Sequence, residues 1–171
     1  MEASHTFLRN NTVLLRRWTE DDAEWYVNSR DEEIFKWTTE KRGLTVEEAR
    51  ESIAVVNSRE DVSSFAIIDR TSDSIVGNIA LVTTKENRHI GEAMYWLAPE
   101  GRGKGFATFA LRLLCEWAFR ERCLDKVILK THIDNRPSQL VAERAGFHPF
   151  KGADGREDTI QYQWYRLVNT Q

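Results

Sequence analysis

Leu97-Ala98-Pro99-Glu100-Gly101-Arg102-Gly103-Lys104-Gly105-Phe106-Ala107 is the stretch on which the reading of this chain turns. It follows a β-rich run at 90–97 (IGEAMYWL) and leads directly into 104–120, where Phe106, Ala110, Leu113, Leu114 and Trp117 form an apolar stripe at helical spacing. A strand ends, glycines intervene, and a helix begins at once. The first N–H groups of a helix have no intrahelical partner, and the aligned peptide dipoles place partial positive charge there. Gly101, Gly103 and Gly105 let an anion approach the backbone with no Cβ in the way. Arg102 and Lys104 add formal charge of the same sign, more than a simple turn requires. The pattern is a cradle for a phosphate or pyrophosphate. It is not a Walker loop, because Gly105 follows Lys104 where Ser or Thr is required. The dinucleotide fingerprint also fits poorly: its third glycine would fall on Phe106 or Thr108, and Asp134 comes too late to hold a ribose.

Around this stretch the elements alternate. Residues 12–17 (TVLLRR) predict a strand. Thr19 predicts an N-cap, with Asp21 and Asp22 in the first turn of a helix running through Trp25, Tyr26 and Ser29. Thr45-Val46-Glu47-Glu48 is a capping box opening a second helix, with Ala49, Ile53 and Val56 on one face. Residues 64–69 (SFAIID) and 75–82 (IVGNIALV) flank a polar turn and predict a hairpin. Residues 126–133 (KVILKTHI) predict a strand, 138–145 a short helix closed by Gly146, and 159–167 (TIQYQWYRL) a final strand. This is an α/β (α+β) arrangement.

The chain has 171 residues, of which 41% are hydrophobic, enough to bury a core as a single domain with its structured part at about 12–167. No repeat or Pro/Gly/Ser-rich linker divides it. Twenty-four basic and 27 acidic residues give a net charge of −3, which argues against a nucleic-acid partner. Eleven per cent aromatics, six of them Trp, argues against disorder. No apolar run reaches the ~20 residues of a membrane span, and the N-terminus does not read as a signal peptide. Cys115 and Cys123 are spaced along a helix and its exit, about 12 Å apart at ~1.5 Å per residue, which is poor geometry for a disulfide. Together these features predict a cytoplasmic, reduced protein. The four histidines, at 5, 89, 132 and 148, show no metal-ligand spacing with the cysteines, so no metal is expected.

Arg102-Gly103-Lys104-Gly105-Phe106-Ala107 resembles the R/Q-x-x-G-x-G/A signature of the GNAT (GCN5-related N-acetyltransferase) family. Asn135-Arg136-Pro137-Ser138, followed by Glu143-Arg144-Ala145-Gly146-Phe147, is similar to that family's N-x-x-S…E-K-x-G-F segment. Residues 91–97 and the opening around Leu14–Ala23 look like the RimJ/RimL-like branch, which acetylates N-termini of ribosomal proteins. The resemblance covers residues 12–167. It implies a mixed, mostly antiparallel central sheet, flanked by helices, with a V-shaped splay between two parallel strands, 90–97 and 126–133. It implies acetyl-CoA as co-substrate. The backbone N–H groups of Arg102, Gly103, Lys104, Gly105, Phe106 and Ala107 would hold the pyrophosphate, Tyr95 and Leu97 would pair by backbone with the pantetheine, Asn135 would bond that arm, and Ser138 would lie near the thioester sulfur. Asn135 and Ser138 could equally serve as caps of the helix that follows them.

The chemistry sets its own demands. An amine at neutral pH is mostly ammonium, so acyl transfer needs a proton removed, a carbonyl polarised and a thiolate accepted. Glu92 interrupts an apolar strand and is the candidate to relay the proton through water and to meet the amine; a solvent-facing carboxylate is the alternative. Neither cysteine sits where a nucleophile is needed. Many members of the family carry an acidic Tyr where this chain has Ala142, which leaves Ser138 or water to protonate the thiolate. Met94 stands where the branch has Gly and narrows the acceptor side. In the family the first helices form the acceptor wall; here Trp37, in a predicted loop beside Lys36, is the candidate wall residue, and His132 could face the cleft or be structural. These readings give an N-acetyltransferase acting on a primary amine by direct attack. The acceptor is a peptide or protein N-terminal α-amine, or else a small molecule such as a polyamine, aminoglycoside or amino-acid conjugate. A CoA-binding module without catalysis is the reading from a different class, and a homodimer is compatible with a domain of this size.

Overall fold

The computed structural model describes residues 8–84, 86–150 and 157–166. Eight strands form one sheet in the order β1-β2-β3-β4-β5-β6-β8-β7. They are β1 (Leu8–Arg9), β2 (Val13–Arg17), β3 (Val62–Asp69), β4 (Ser74–Thr83), β5 (Ile90–Leu97), β6 (Lys126–His132), β7 (His148–Phe150) and β8 (Thr159–Tyr165). Every neighbouring pair is antiparallel except β5 with β6, which is parallel. The helices are α1 (Ala23–Asn28), α2 (Glu32–Trp37), α3 (Val46–Ser58), α4 (Phe106–Arg120) and α5 (Arg136–Ala145). The expected mixed α/β sheet with its single parallel pair is therefore present.

Each face of the sheet has its own core. Phe106, Ala110, Leu111, Leu114 and Ala118 of α4 pack with Val13, Leu15, Phe65, Ile67, Ile79, Leu81, Val127 and Leu129. On the opposite face Trp18, Ala23, Ala49 and Ile53 pack with Ala66 and Ile68. Consecutive residues of β3 serve opposite faces, which is why 65–68 (FAII) shows no polar alternation. Gly77 sits where β4 and β5 come closest: a Cβ there would lie 2.3 Å from the Trp96 carbonyl oxygen.

Local signals explain most element ends. Thr45 accepts from the Glu48 N–H while Glu48 reaches back to the Thr45 N–H, so the capping box forms as expected. Gly146, at φ 110°, closes α5. Thr19 starts a 3-10 turn (Glu20–Asp22) rather than a continuous helix, and Asp22 is pinned there by Arg16 at 2.7 Å. α2 and the short strands β1 and β7 are additions to the sequence expectation. The last strand ends at Tyr165; Leu167 and His5 lie outside the described residues. Cys115 and Cys123 are both free thiols. Cys115 is buried in α4, where desolvation pushes its thiol well above the ordinary range, and Cys123 is exposed beyond the helix end. Among the described residues no helix is long and apolar enough to cross a membrane.

Candidate active site

The parallel ladder is short. Ile90 faces Lys126, Gly91 faces Val127, Glu92 faces Ile128 and Ala93 faces Leu129, and the register ends there. Beyond Ala93, β5 stays on β4 as far as Leu97, while β6 stays on β8 as far as His132. Two strands that are each held by an outer neighbour but no longer by one another must diverge. The end of β5 is drawn further toward β4 by the Ala98 N–H, which donates to Val76 O at 2.9 Å. The cleft thus has Met94–Leu97 on one arm and Lys130–His132 on the other, the expected V.

At the mouth of the first arm the chain makes a 3-10 turn (Pro99–Gly101) and enters α4 through the glycine stretch. Gly101 is required for packing, because a Cβ would meet Val76 O at 2.8 Å. Gly103 and Gly105 adopt φ of 72° and 82°, left-handed values that suit glycine. Gly105 is the N-cap of α4 and supplies no side-chain acceptor, and the first turn holds no acid. The N-terminal N–H groups of α4 are therefore left for something else to satisfy. A Cβ on Gly103 would have nothing within 4 Å, so the space above the turn is open. Phe106 and Ala107 have buried side chains and offer only backbone; helix proper begins at Phe106, leaving Lys104 exposed in the turn. An anion with several oxygens fits this arrangement.

Arg102 departs from expectation as a free cation beside the cradle. Its Nη1 and Nη2 donate to Asp31 Oδ2 and Oδ1 at 2.8 and 2.7 Å, a bidentate pair. The Arg102 guanidinium is the main reason the Asp31 carboxyl lies below its usual range. Arg102 is also not the expected N–H donor of the cradle: its backbone N–H closes the 3-10 turn on Pro99 O at 3.3 Å, while its side chain is committed to the N-cap of α2.

Across the V, Asn135 caps α5: its Oδ1 accepts from the Ser138 N–H at 3.2 Å. The capping alternative is therefore realised for Asn135, and Ser138 lies inside the first turn of the helix. The Asn135 amide NH₂ keeps two donors for other uses. The Ser138 hydroxyl is 3.0 Å from the Tyr95 hydroxyl, so a side-chain hydrogen bond ties the first turn of α5 to the β5 arm. Burial pushes the Tyr95 phenol up to about 12. Ala142 is fully buried within the core against α4, so no tyrosine acid stands at that position.

Glu92, Met94 and Trp96 alternate onto the opposite face of β5. The Glu92 carboxylate is half-exposed and pairs with Lys130 Nζ at 3.2 Å, a contact that also joins the two arms. Met94 is 45% exposed. Trp96 stacks on Trp25, with ring centroids 6.1 Å apart and planes within 8° of parallel, and meets the Tyr26 ring edge-on. Glu40 ties this wall together: it accepts from Tyr26 Oη at 2.9 Å, Trp96 Nε1 at 3.2 Å and Arg30 at 3.0 Å. Burial, with the Glu40 charge beside it, raises the Tyr26 phenol strongly.

Trp37 is the last residue of α2, not a loop residue. Its ring lies 5.4 Å from that of His132 at the end of β6, and its Nε1 donates to Glu33 at 3.0 Å. Trp37 and His132, read separately from the sequence, are in ring contact. Asp31, Arg30 and Glu40 were not anticipated as site residues. The signal for Asp31 lay in its neighbours: Asp31-Glu32-Glu33 is a cap followed by an acidic first turn. Nothing comparable marked Arg30 or Glu40, whose partners are 10 or more residues away.

The acetyltransferase (GNAT) domain family matches residues 12–148. The candidate ribosomal N-acetyltransferase YdaF of Bacillus subtilis (strain 168) is 38% identical over 74 residues, 43% of this chain and 40% of that protein. A ribosomal-protein alanine acetyltransferase from Vibrio fischeri superposes with a TM-score of 0.78 at 19% identity, covering 94% of this chain and 96% of the other. A spermidine N-acetyltransferase from Vibrio cholerae, solved with CoA and spermine, superposes with a TM-score of 0.78 at 20% identity, covering 91% and 96%. At these identities the two superpositions speak for the fold, while the sequence match spans most of the chain and includes the glycine turn. With the splayed parallel pair and that turn in place, the chain belongs to the GNAT family of N-acetyltransferases.

Proposed function

We propose that this protein transfers an acetyl group from acetyl-CoA to a primary amine by direct attack in a ternary complex, and that the favoured acceptor is the α-amine of a peptide or protein N-terminus. The observation that carries the reading is the end of the parallel ladder at Ala93 and Leu129, followed along the same chain, past the end of β5, by the open left-handed turn at the start of α4.

Acetyl-CoA supplies an electrophilic thioester carbonyl and a thiolate leaving group. The residues present fit it. Backbone N–H groups from Gly103 to Ala107 would hold the pyrophosphate, since the turn is open and the helix end uncapped, while the Arg102 N–H is taken by Pro99 O. The β5 backbone at Tyr95 and Leu97, no longer engaged by β6, would bind the pantetheine arm as a neighbouring strand would. The Asn135 NH₂ would reach the same arm. A β5 N–H aimed into the V would polarise the thioester oxygen, held in place before reaction. Ser138 would return a proton to the sulfur and draw on Tyr95, which burial keeps protonated. Glu92 would take the ammonium proton through water, with Lys130 fixing its carboxylate. Trp37 would form the acceptor wall.

The preference for a peptide rests on the opening. Met94 (45% exposed) and Ile133 (48% exposed) leave apolar surface at its rim, suited to the first side chains of a chain threaded into it. The relation to a candidate ribosomal N-acetyltransferase supports the same choice. A small polyamine is the second reading, supported by the spermidine acetyltransferase neighbour and by Glu33 and Glu92 near the mouth. A reducing cytoplasm suits both, and keeps Cys115 and Cys123 as thiols.

The test is thiol release from acetyl-CoA against peptides with varied N-termini, polyamines, aminoglycosides and aminoacyl conjugates, with mass spectrometry on each product. Acetylated peptide N-termini are expected. Turnover confined to polyamines would replace the favoured acceptor. Silence throughout, with CoA still bound, would overturn the catalytic assignment.

A further inference from the structure

α2 is only six residues long, too short to hold its shape alone, so its order rests on what fastens its ends. At its N-terminus Asp31 does two things at once. Its Oδ1 accepts from the Ile34 N–H at 3.1 Å as the N-cap, and both its oxygens accept from Arg102 at 2.7 and 2.8 Å. Arg102 stands between Gly101 and Gly103, in the turn assigned above to the pyrophosphate. At the other end of α2, Trp37 lies against His132 on the far arm of the cleft, held there by Glu33. One short helix is thus clamped to the donor turn at one end and closes over the acceptor side at the other.

We propose that Asp31 is a positioning residue: through Arg102 it makes the placement of α2, and so of Trp37, depend on the state of the 97–107 turn, which couples donor binding to the order of the acceptor wall. The inference rests on the assignment of that turn to CoA. A bidentate guanidinium–carboxylate pair fixes both distance and orientation, which a single hydrogen bond would not. Arg102 is held on its N-terminal side by its N–H to Pro99 O and is followed by the left-handed Gly103, so a ligand seated on the turn bears on the Arg102 backbone and on the direction of its side chain. By linkage the effect is reciprocal: a wall ordered by an acceptor favours the turn that binds the donor. The pair is one-third exposed on each side, so coupling at the low end of the usual range, about 5-fold, is expected.

The cap and the clamp can be separated. Asp31→Ser keeps a good N-cap but cannot take Arg102 through two oxygens. Arg102→Gln breaks the pair from the other side and leaves the Asp31 cap intact. Hydrogen exchange, read by mass spectrometry on the full chain with and without saturating CoA, reports the 97–107 turn and the 32–37 helix separately. In the wild type, CoA is expected to slow exchange in both segments, about 5-fold in the helix. In either variant it should slow only the turn, with helix exchange no longer responsive. If CoA protects the wild-type turn but not the helix, or protects the helix equally in the variants, the positioning role is overturned while the donor site stands. If CoA leaves the wild-type turn unprotected, the donor assignment fails and takes this inference with it.

Discussion

Gly103 gives the sharpest test of the cradle, because the substitution that should abolish binding has room to be made. A Cβ there would touch nothing within 4 Å, so the fold should tolerate a side chain. The backbone cost is the left-handed φ of 72°, about 1 kcal/mol for a residue other than glycine. For a chain of this size that lowers Tm by about 2–4 °C. Gly103→Ala carries this cost alone. Gly103→Glu adds a carboxylate over the turn, where the pyrophosphate is assigned. Two unit charges about 4 Å apart interact by about 4 kcal/mol at an effective dielectric near 20. The site is open, and solvent and salt should reduce this to about 2–3 kcal/mol, or about 30- to 150-fold in Kd. Titration calorimetry with CoA, beside scanning calorimetry of both variants, measures the two quantities separately. Similar Tm values are expected, with Gly103→Ala binding within about threefold of wild type and Gly103→Glu weaker by the factor above. The Gly103→Glu deficit should also shrink as salt is added. If Gly103→Glu binds CoA as tightly as Gly103→Ala, the pyrophosphate does not lie over this turn, and the argument from the uncapped helix end is wrong.

Ser138→Ala should lower kcat while leaving KM for acetyl-CoA near its starting value, and should also cost about 1–3 kcal/mol because it strands the buried Tyr95 hydroxyl; steady-state rates with a denaturant titration check both, and an unchanged kcat would remove Ser138 from proton transfer. With the Tyr95 phenol raised to about 12, the folded state keeps a proton that the unfolded chain gives up near the ordinary 10.0, so stability from this group is complete below pH 10 and declines as pH rises toward 12. Urea titrations between pH 8.5 and 11 should show that decline, and Tyr95→Phe should make it shallower, the raised Cys115 thiol and Tyr26 phenol accounting for what remains. Glu92→Gln should reduce the acetylation rate without weakening CoA binding; equal loss of both would make Glu92 a structural partner of Lys130 rather than a proton relay. Gly77→Ala, whose Cβ would lie 2.3 Å from the Trp96 carbonyl oxygen, should destabilise by about 3 kcal/mol or more, read as a lower denaturant midpoint.

What could be read from sequence follows how far apart the interacting residues are in the chain. The Thr45 capping box, the Gly146 terminator and the glycine turn are decided within a few residues, and each forms where its pattern places it. The run 90–97 matches β5 end to end, because its composition and both boundaries are local. α2 escaped because six residues carry too little periodicity, although Asp31-Glu32-Glu33 marks its start. Trp37 was expected in a loop and instead ends α2. Arg102 was read by its charge and its backbone N–H; its carboxylate partner is 71 residues away, a pairing that only the folded chain reveals. Glu40 and Arg30 escaped for the same reason, as Glu40 meets Trp96 across 56 residues. Asn135 carried two readings, cap and ligand donor. Its oxygen makes the cap, so only its nitrogen could serve the proposed second use.

The brevity of the β5–β6 ladder has a mechanical side. β5 is held to β4 from Gly91 to Leu97 and β6 to β8 from Lys126 to His132, but the two strands hold each other only from Ile90 to Ala93. The cleft is therefore also the seam of the sheet, the line along which the strands on either side can part with the loss of few hydrogen bonds. α4 lies across this line, packing against strands on both sides, and acts as a rivet that a small parting leaves in place. Local opening along such a line costs far less than global unfolding. Widening the seam about its fixed end would make room for a long, flexible ligand of the kind proposed above.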